Sequence, residues 1–240
     1  MTDPLPRGLH GQVVNALGSR ILSGRILPGA TLDLPGIEAE LGVSRTVLRE
    51  ALKVLTAKGL VAARQKRGTY VTEQNRWNTL DADVLRWRLA DQPSDALLER
   101  LTEIRLVIEP GLAALAARRR DDDDLARLVG LIDAMHEDAK DPLRLVEHEV
   151  QFHGAVLEAT HNDLATSLHS VIDQGIRQSY VLKAESIIDG GPVAPRRAVY
   201  DAIAERDVSA AEEAMRRLVC LADEAPAKEA PKRRRPRRSS

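Results

Sequence analysis

The spacing of apolar residues in the first 75 positions predicts three helices followed by a β-hairpin. The first apolar stripe ends at Ser23-Gly24, where a helix C-terminus is expected. Asp33 is expected to cap a short second helix that ends near Leu41-Gly42, and Ser44 is expected to cap a third. This order of elements is typical of a winged helix-turn-helix. The two hairpin strands are predicted at Leu60 to Arg64 and Thr69 to Thr72.

The third predicted helix carries a basic face beside its apolar stripe. Ser44 and Thr46 lie in its first turn, and Arg45 and Arg49 follow each other at helical spacing. A recognition helix points its N-terminal residues at base edges in the major groove. The hairpin tip, Lys66-Arg67-Gly68, adds cations that suit the DNA backbone. An isolated basic helix is more often an ordinary solvated face, but the whole series of elements favours DNA binding.

Beyond residue 75 the apolar spacing predicts helices and no strand. Residues 76–93 form a predicted helical linker, in which Asp81 caps a helix from Ala82 to Leu89. Trp77 and Trp87 are expected to pack between two domains, since tryptophan mainly supplies buried area.

Residues 94–222 predict an all-α bundle. Pro110 lies inside its first long helix, and Asp121 to Asp124 and Asp141-Pro142 each begin another. One continuous helix is expected from about Leu164 to Ile187. The basic, proline-containing residues 223–240 are expected to be disordered, and either add non-specific DNA affinity or serve only as a solubilising end.

Composition narrows the classes of protein that fit. Aromatic residues make up only 2% of the chain, so the core must be built from aliphatic side chains, which favours packed helices. The single cysteine, Cys220, excludes a disulfide framework and a cysteine-based zinc cluster. No apolar run is long enough to span a membrane and no signal peptide is evident, so we expect a cytoplasmic protein without a membrane partner.

The net charge of −1 is unevenly distributed. Residues 1–75 carry +4, residues 76–222 carry −9, and residues 223–240 carry +4. A basic first third on an acidic body suggests that only the first segment meets a polyanion.

The N-terminal motifs resemble those of the GntR family of bacterial transcription regulators over most of residues 10–72. The resemblance rests on Ile26 to Leu32, on Leu41 to Leu52, on Leu55 with Gly59 to Val61, and on Arg67 to Val71. One departure is Asp33-Leu34-Pro35-Gly36, where the family usually has a basic DNA contact. The resemblance implies DNA contacts by Ser44, Arg45, Thr46, Val47, Arg49, Lys66, Arg67 and Gly68.

Two features of the body are candidates for ligand chemistry. Glu149 and His153 are four residues apart on one helix face, which suits either a shared metal or an ordinary helix pair. Arg105 lies among apolar positions and needs an anionic partner. That partner is either a ligand carboxylate, Glu109 one turn away, or Glu149.

The body is similar to the all-helical FCD effector domain of the FadR-type branch of this family. The similarity rests on the runs Glu103 to Glu109, Leu115 to Arg118, Glu149 to His153 with Asn162, and Arg196 to Ala211. Many members bind a divalent metal through one Asp and three His. These positions correspond here to Glu149, His153, Arg196 and Leu218, so the resemblance implies a degenerate site and no cofactor. We expect Arg196 to supply the missing positive charge, and Arg105, Glu149, His153 and Arg196 to bind the effector.

The linker adds a likeness to regulators of galactonate and related sugar-acid catabolism, carried by Arg76 to Trp87 with Ile108-Glu109-Pro110. Together these features predict a homodimeric repressor of sugar-acid catabolism that binds operator DNA and is released by a small carboxylate effector. Two other interpretations remain: a metal-dependent enzyme fused to a DNA anchor, and an architectural DNA-binding protein without an effector.

Overall fold

The structure is a computed structural model that describes residues 8–66, 68–91, 95–189, 191 and 193–224. The chain divides into two compact units. The first runs to Leu101 and includes Ser167–Gly175, and the second holds Thr102–Thr166 and the residues from Ile176 onward. Among the described residues, no helix is both long and apolar enough to cross a membrane. The predicted domain boundaries stay a prediction.

The first unit begins with a three-helix arrangement whose ends follow the predicted caps. Helix α1 spans Leu9–Leu22, α2 spans Leu34–Leu41 and α3 spans Arg45–Ala57. The Asp33 carboxylate accepts a hydrogen bond from the Gly36 amide, and the Ser44 hydroxyl accepts one from the Val47 amide. These side chains satisfy amides that the helix itself leaves unpaired.

A β-hairpin and a further helix complete the first unit. Strand β1 (Val61–Arg64) pairs antiparallel with β2 (Gly68–Val71), close to the predicted bounds. Thr31 adds an isolated bridge to Tyr70, which ties the hairpin to the segment before α2. A 3₁₀ turn at Gln74–Arg76 then leads into α4 (Ala82–Asp91), which the Asp81 carboxylate caps through the Asp83 and Val84 amides.

The expectation that the two tryptophans pack between domains is wrong. Trp87 is 4% exposed within the apolar core of the first unit, and its indole N–H donates to Asn15 of α1. Trp77 packs against the same core and donates to the Thr72 carbonyl. Helix α4 lies against α1 at Gly18, where the missing side chain makes room for the Trp87 ring.

The second unit contains only helices among its described residues. Helix α5 (Asp95–Arg119) enters it from the first unit and is followed by α6 to α11. A capping box between Asp121 and Asp124 begins α6, and Asp141 caps α7 ahead of Pro142, as predicted. Helix α6 packs against α7 and α10, and α10 packs against α11. The bounds are Asp122–Glu137 for α6, Pro142–Glu158 for α7, Asp163–Thr166 for α8, His169–Asp189 for α9, Val193–Ala204 for α10 and Val208–Glu224 for α11.

The continuous helix expected from Leu164 to Ile187 is also wrong, because the chain breaks it into α8 and α9. In α8 the Thr166 hydroxyl donates to the Asp163 carbonyl at 2.7 Å and competes with the helical amide bond. Helix α10 begins earlier than expected, since Pro195 falls in its first turn, where no amide donor is needed.

We predict that Gly18→Ala destabilises the first unit by about 1–3 kcal/mol, because the added Cβ would lie 2.6 Å from the Trp87 ring and force the core apart. Denaturant unfolding followed by circular dichroism and Trp fluorescence measures the loss, since both tryptophans lie in this unit. Gly130→Ala, at an exposed position of α6 with open space around it, is the matched control and should stabilise the chain by up to about 1 kcal/mol. Equal stability of the two variants would contradict the packing of α4 on α1.

Candidate functional site

The N-terminal end of α3 presents an exposed polar and basic surface. Ser44, Arg45, Thr46 and Arg49 are exposed, whereas Val47 is half-buried against the core of the first unit. A groove of about 460 Å³ lies beside this surface. It is bordered by α2, α3 and the hairpin, and its lining includes Glu38, Arg45, Arg49, Lys53, Thr56 and Thr69.

The basic side chains of this region differ in whether a carboxylate already holds them. Arg20 of α1 makes a two-pronged contact with Glu40 of α2 at 2.9 and 2.6 Å, and Lys53 contacts Glu50 at 2.7 Å. In the part of the chain that the structure describes, Arg45 and Arg49 form no such pair. Two guanidinium groups are therefore available to an external acceptor.

The hairpin tip holds two more of the predicted DNA-binding residues. Lys66 is exposed and has φ 65°, and Gly68 has φ 82°. Left-handed backbone at both positions makes a tight turn, which glycine adopts without strain and lysine does not. Arg67 lies outside the described residues.

The four predicted effector-binding residues meet in one buried chain of charged groups in the second unit. The Arg105 Nε donates to Glu109 Oε1 at 2.5 Å, and the other Glu109 oxygen contacts His153 Nδ1. His153 Nε2 lies 3.4 Å from Glu149 Oε1. Both oxygens of Glu149 accept hydrogen bonds from Arg196, one of them at 2.8 Å from Nε. Basic and acidic side chains therefore alternate along a line of contacts from α5 through α7 to α10.

Arg105 therefore has Glu109 as its carboxylate partner, one of the three alternatives that the sequence left open. Sequence reasoning did not identify the central role of Glu109, which joins Arg105 to His153. Its only signal was the four-residue spacing from Arg105.

Burial and mutual attraction act against each other in this charged chain. Burial by itself would raise the pKa of the Glu109 carboxyl, but Arg105 and His153 outweigh it and lower the pKa to about 2. The pKa of Glu149 is lowered in the same way by Arg196 and His153. For His153, burial favours the neutral ring, yet Glu109 and Glu149 raise its pKa above the ordinary value. The carboxylates are therefore ionised, and the imidazolium form of His153 is favoured.

Two further polar side chains of α9 are buried without a hydrogen-bond partner among the described residues. They are Tyr180, through its hydroxyl, and Gln178, through its amide nitrogen. Burial and the charge of Glu149 raise the pKa of the Tyr180 hydroxyl above its ordinary value. An unpartnered buried hydroxyl costs free energy unless something else bonds to it. No sequence signal singled out Tyr180.

The four positions that correspond to the family's metal ligands do not fit a divalent ion. Arg196 has only donors, and it occupies both oxygens of Glu149. Leu218 is buried hydrocarbon, 2% exposed. His153 Nδ1 is already directed at Glu109. The guanidinium of Arg196 provides the positive charge at this place in the fold.

Comparison with known proteins agrees with this architecture. The family model described as "Bacterial regulatory proteins, gntR family" matches residues 9–71, and the FCD domain model matches residues 100–220. The chain is 32% identical over 211 residues to the galactonate operon transcriptional repressor of Escherichia coli (strain K12), which covers 85% of this chain and 90% of that protein.

Solved structures agree with the fold. The GntR protein of Streptococcus agalactiae is 27% identical, with a TM-score of 0.52 over 90% of this chain and 100% of that one. Lar of Listeria monocytogenes, at 19% identity and a TM-score of 0.63 over 90% and 95% of the two chains, shares the fold.

The predicted mainly α fold with an N-terminal winged helix-turn-helix is confirmed. The matched families and relatives are transcription regulators and not enzymes. The chain therefore belongs to the GntR family of bacterial transcription regulators, with a DNA-binding region followed by an FCD domain.

Proposed function

We propose that this regulator is a homodimeric repressor of sugar-acid catabolism, and that a hydroxylated carboxylate releases it from its operator. The proposal is carried by the buried Arg196–Glu149 pair, together with a buried Tyr180 hydroxyl that has no hydrogen-bond partner among the described residues. The similarity to a galactonate operon repressor supports the class of effector.

DNA recognition rests on the exposed end of α3. Arg45 and Arg49 are proposed to donate two hydrogen bonds each to guanine or to bridge to phosphate, and Ser44 and Thr46 to bond the backbone or a base edge. The half-buried Val47 offers only an apolar contact, such as with a thymine methyl group. Lys66, Arg67 and Gly68 at the hairpin tip are proposed to approach the phosphates. A two-fold operator requires two copies of this surface.

Effector binding is proposed to work by exchange of carboxylates at Arg196. A ligand carboxylate takes the place of Glu149 on the guanidinium, with the same two-pronged geometry. The freed Glu149 stays beside His153, 3.4 Å away, whose imidazolium form balances it. Arg105 holds Glu109 against the other nitrogen of His153, so it acts on the ligand through these two residues.

The polar groups of α9 favour a ligand that carries hydroxyl groups beside its carboxylate. The unpartnered Tyr180 hydroxyl and Gln178 amide match the hydroxyl groups of a sugar acid, and an acyl chain would leave them unsatisfied.

For the DNA surface, we predict that Arg45→Ala and Arg49→Ala each weaken specific binding by about 1–3 kcal/mol without changing the melting temperature. The duplex is selected from a random library with the wild-type protein, and affinity is measured by fluorescence anisotropy. Arg216→Ala, which removes an exposed arginine from α11 in the second unit, is the control and should bind like wild type. Wild-type affinity in both α3 variants would show that α3 does not read the operator.

For the effector site, we predict that galactonate or gluconate raises the melting temperature and releases DNA, whereas octanoate does neither. Tyr180→Phe should weaken this response about 3- to 30-fold, the loss of one hydrogen bond. Stability should be unchanged, because the hydroxyl has no hydrogen-bond partner among the described residues. Tyr200→Phe on α10 is the matched control.

Arg196→Lys keeps the charge but not the paired donors, and it should abolish effector-driven release while operator binding persists. Arg105→Lys should reduce the response to a smaller extent.

Stoichiometric metal in the purified protein, lost with His153→Ala and needed for the response, would contradict the exchange at Arg196. A protein that binds DNA and responds to no sugar acid would favour an architectural role.

A further inference from the structure

Helix α5 exposes an apolar stripe on the side opposite its buried charges. Val107 is 77% exposed and Ile104 is 45% exposed, although Arg105 and Glu109 on the same helix are fully buried. Ile108 and Leu115 border the stripe and are half-buried. Large apolar side chains on consecutive turns of one face are a feature of surfaces that bind another protein.

The residues of the stripe have the spacing of a helix–helix seam. Ile104, Val107, Gly111, Ala114 and Arg118 follow one another at steps of 3, 4, 3 and 4. This alternation keeps one narrow face in line along a helix and is the repeat by which two helices pack together. We define these five residues as the α5 stripe.

Gly111 leaves room for a second backbone at the middle of the stripe. Glycine inside a helix costs about 0.5–1 kcal/mol relative to alanine. Nothing in the described part of the chain requires it, because a Cβ at Gly111 would meet no atom within 4 Å. With Ala114 on the next turn, it leaves a shallow place where a neighbouring helix can come close.

Charges at the two ends of the stripe favour a second copy of this chain in antiparallel orientation. Glu103 and Arg118 are both exposed, and the described residues offer neither of them an ion-pair partner. An antiparallel pair brings the N-terminal end of one α5 to the C-terminal end of the other, and so brings Glu103 near Arg118 of the second copy. A two-fold axis forms this pair twice, whereas a parallel pair would set like charges together.

We propose that the α5 stripe is the surface by which two copies of the second unit associate, α5 against α5 and antiparallel about a two-fold axis. The proposal rests on the homodimer of the proposed function and specifies its contact face.

The test is the dimer dissociation constant of the full chain, measured by sedimentation equilibrium. Val107→Glu and Gly111→Leu should each raise it at least 10-fold, the first by a buried charge and the second by bulk at the close approach. Leu143→Glu is the control, since Leu143 in the same unit is 79% exposed and lies outside the stripe. Circular dichroism should show folded protein for all three.

Charge reversal tests the orientation. Glu103→Arg and Arg118→Glu should each weaken the dimer about 3-fold or more, and the double variant should restore it.

A dimer that is unaffected by the stripe variants would overturn the proposed face and leave the homodimer intact. A wild-type chain that is monomeric at micromolar concentration and on its operator would overturn the homodimer itself. Weakening by both single reversals without restoration in the double variant would overturn the antiparallel pairing.

Discussion

The buried chain of charges from Arg105 to Arg196 is the interaction on which the second unit depends. Each carboxylate in it is fully buried and would cost several kcal/mol if it were left alone. Each has its own arginine, and His153 connects the two pairs. Because the partners come from α5, α7 and α10, satisfying them fixes how these three helices face one another. Apolar contacts alone would allow more sliding, since they lack direction.

The two units differ in whether the arginines of their candidate sites are paired with carboxylates of the protein. In the second unit the buried guanidinium groups are held by carboxylates of the protein itself. In the first unit α1 and α2 are joined by Arg20 and Glu40, while the arginines at the start of α3 face solvent. Pairing Arg45 or Arg49 internally would oblige DNA to break an ion pair before binding. Their exposure fits a surface that meets a polyanion, and the positive charge of residues 1–75 agrees with it.

Helix α5 connects the features of the second unit. One of its faces contributes Arg105 and Glu109 to the charged chain, and the other carries the α5 stripe. A helix transmits a shift along its length because its backbone hydrogen bonds resist deformation. A ligand that exchanges carboxylates at Arg196 would act on His153 and Glu109, and thereby on the helix that bears the proposed dimer face.

The sequence by itself determined the elements whose ends are set locally. Asp33, Ser44, Asp81 and Asp141 were identified as caps, because a cap bonds amides only two or three residues away. The hairpin followed from its turn for the same reason. The families were recognised from motifs in both halves, and the models of those families match the chain.

Only the tertiary structure decided the contacts between residues far apart along the chain. It showed that Trp87 packs over Gly18 and that Glu149 pairs with Arg196. It also decided the partner of Arg105, since the four-residue spacing allows a pair with Glu109 without requiring it. It also showed that the Tyr180 hydroxyl is buried without a partner among the described residues. For Arg105, spacing alone left Glu109, Glu149 and a ligand carboxylate as possible partners. The choice among them depends on which helix faces come together, and that is fixed by packing over the whole unit and not by any local pattern.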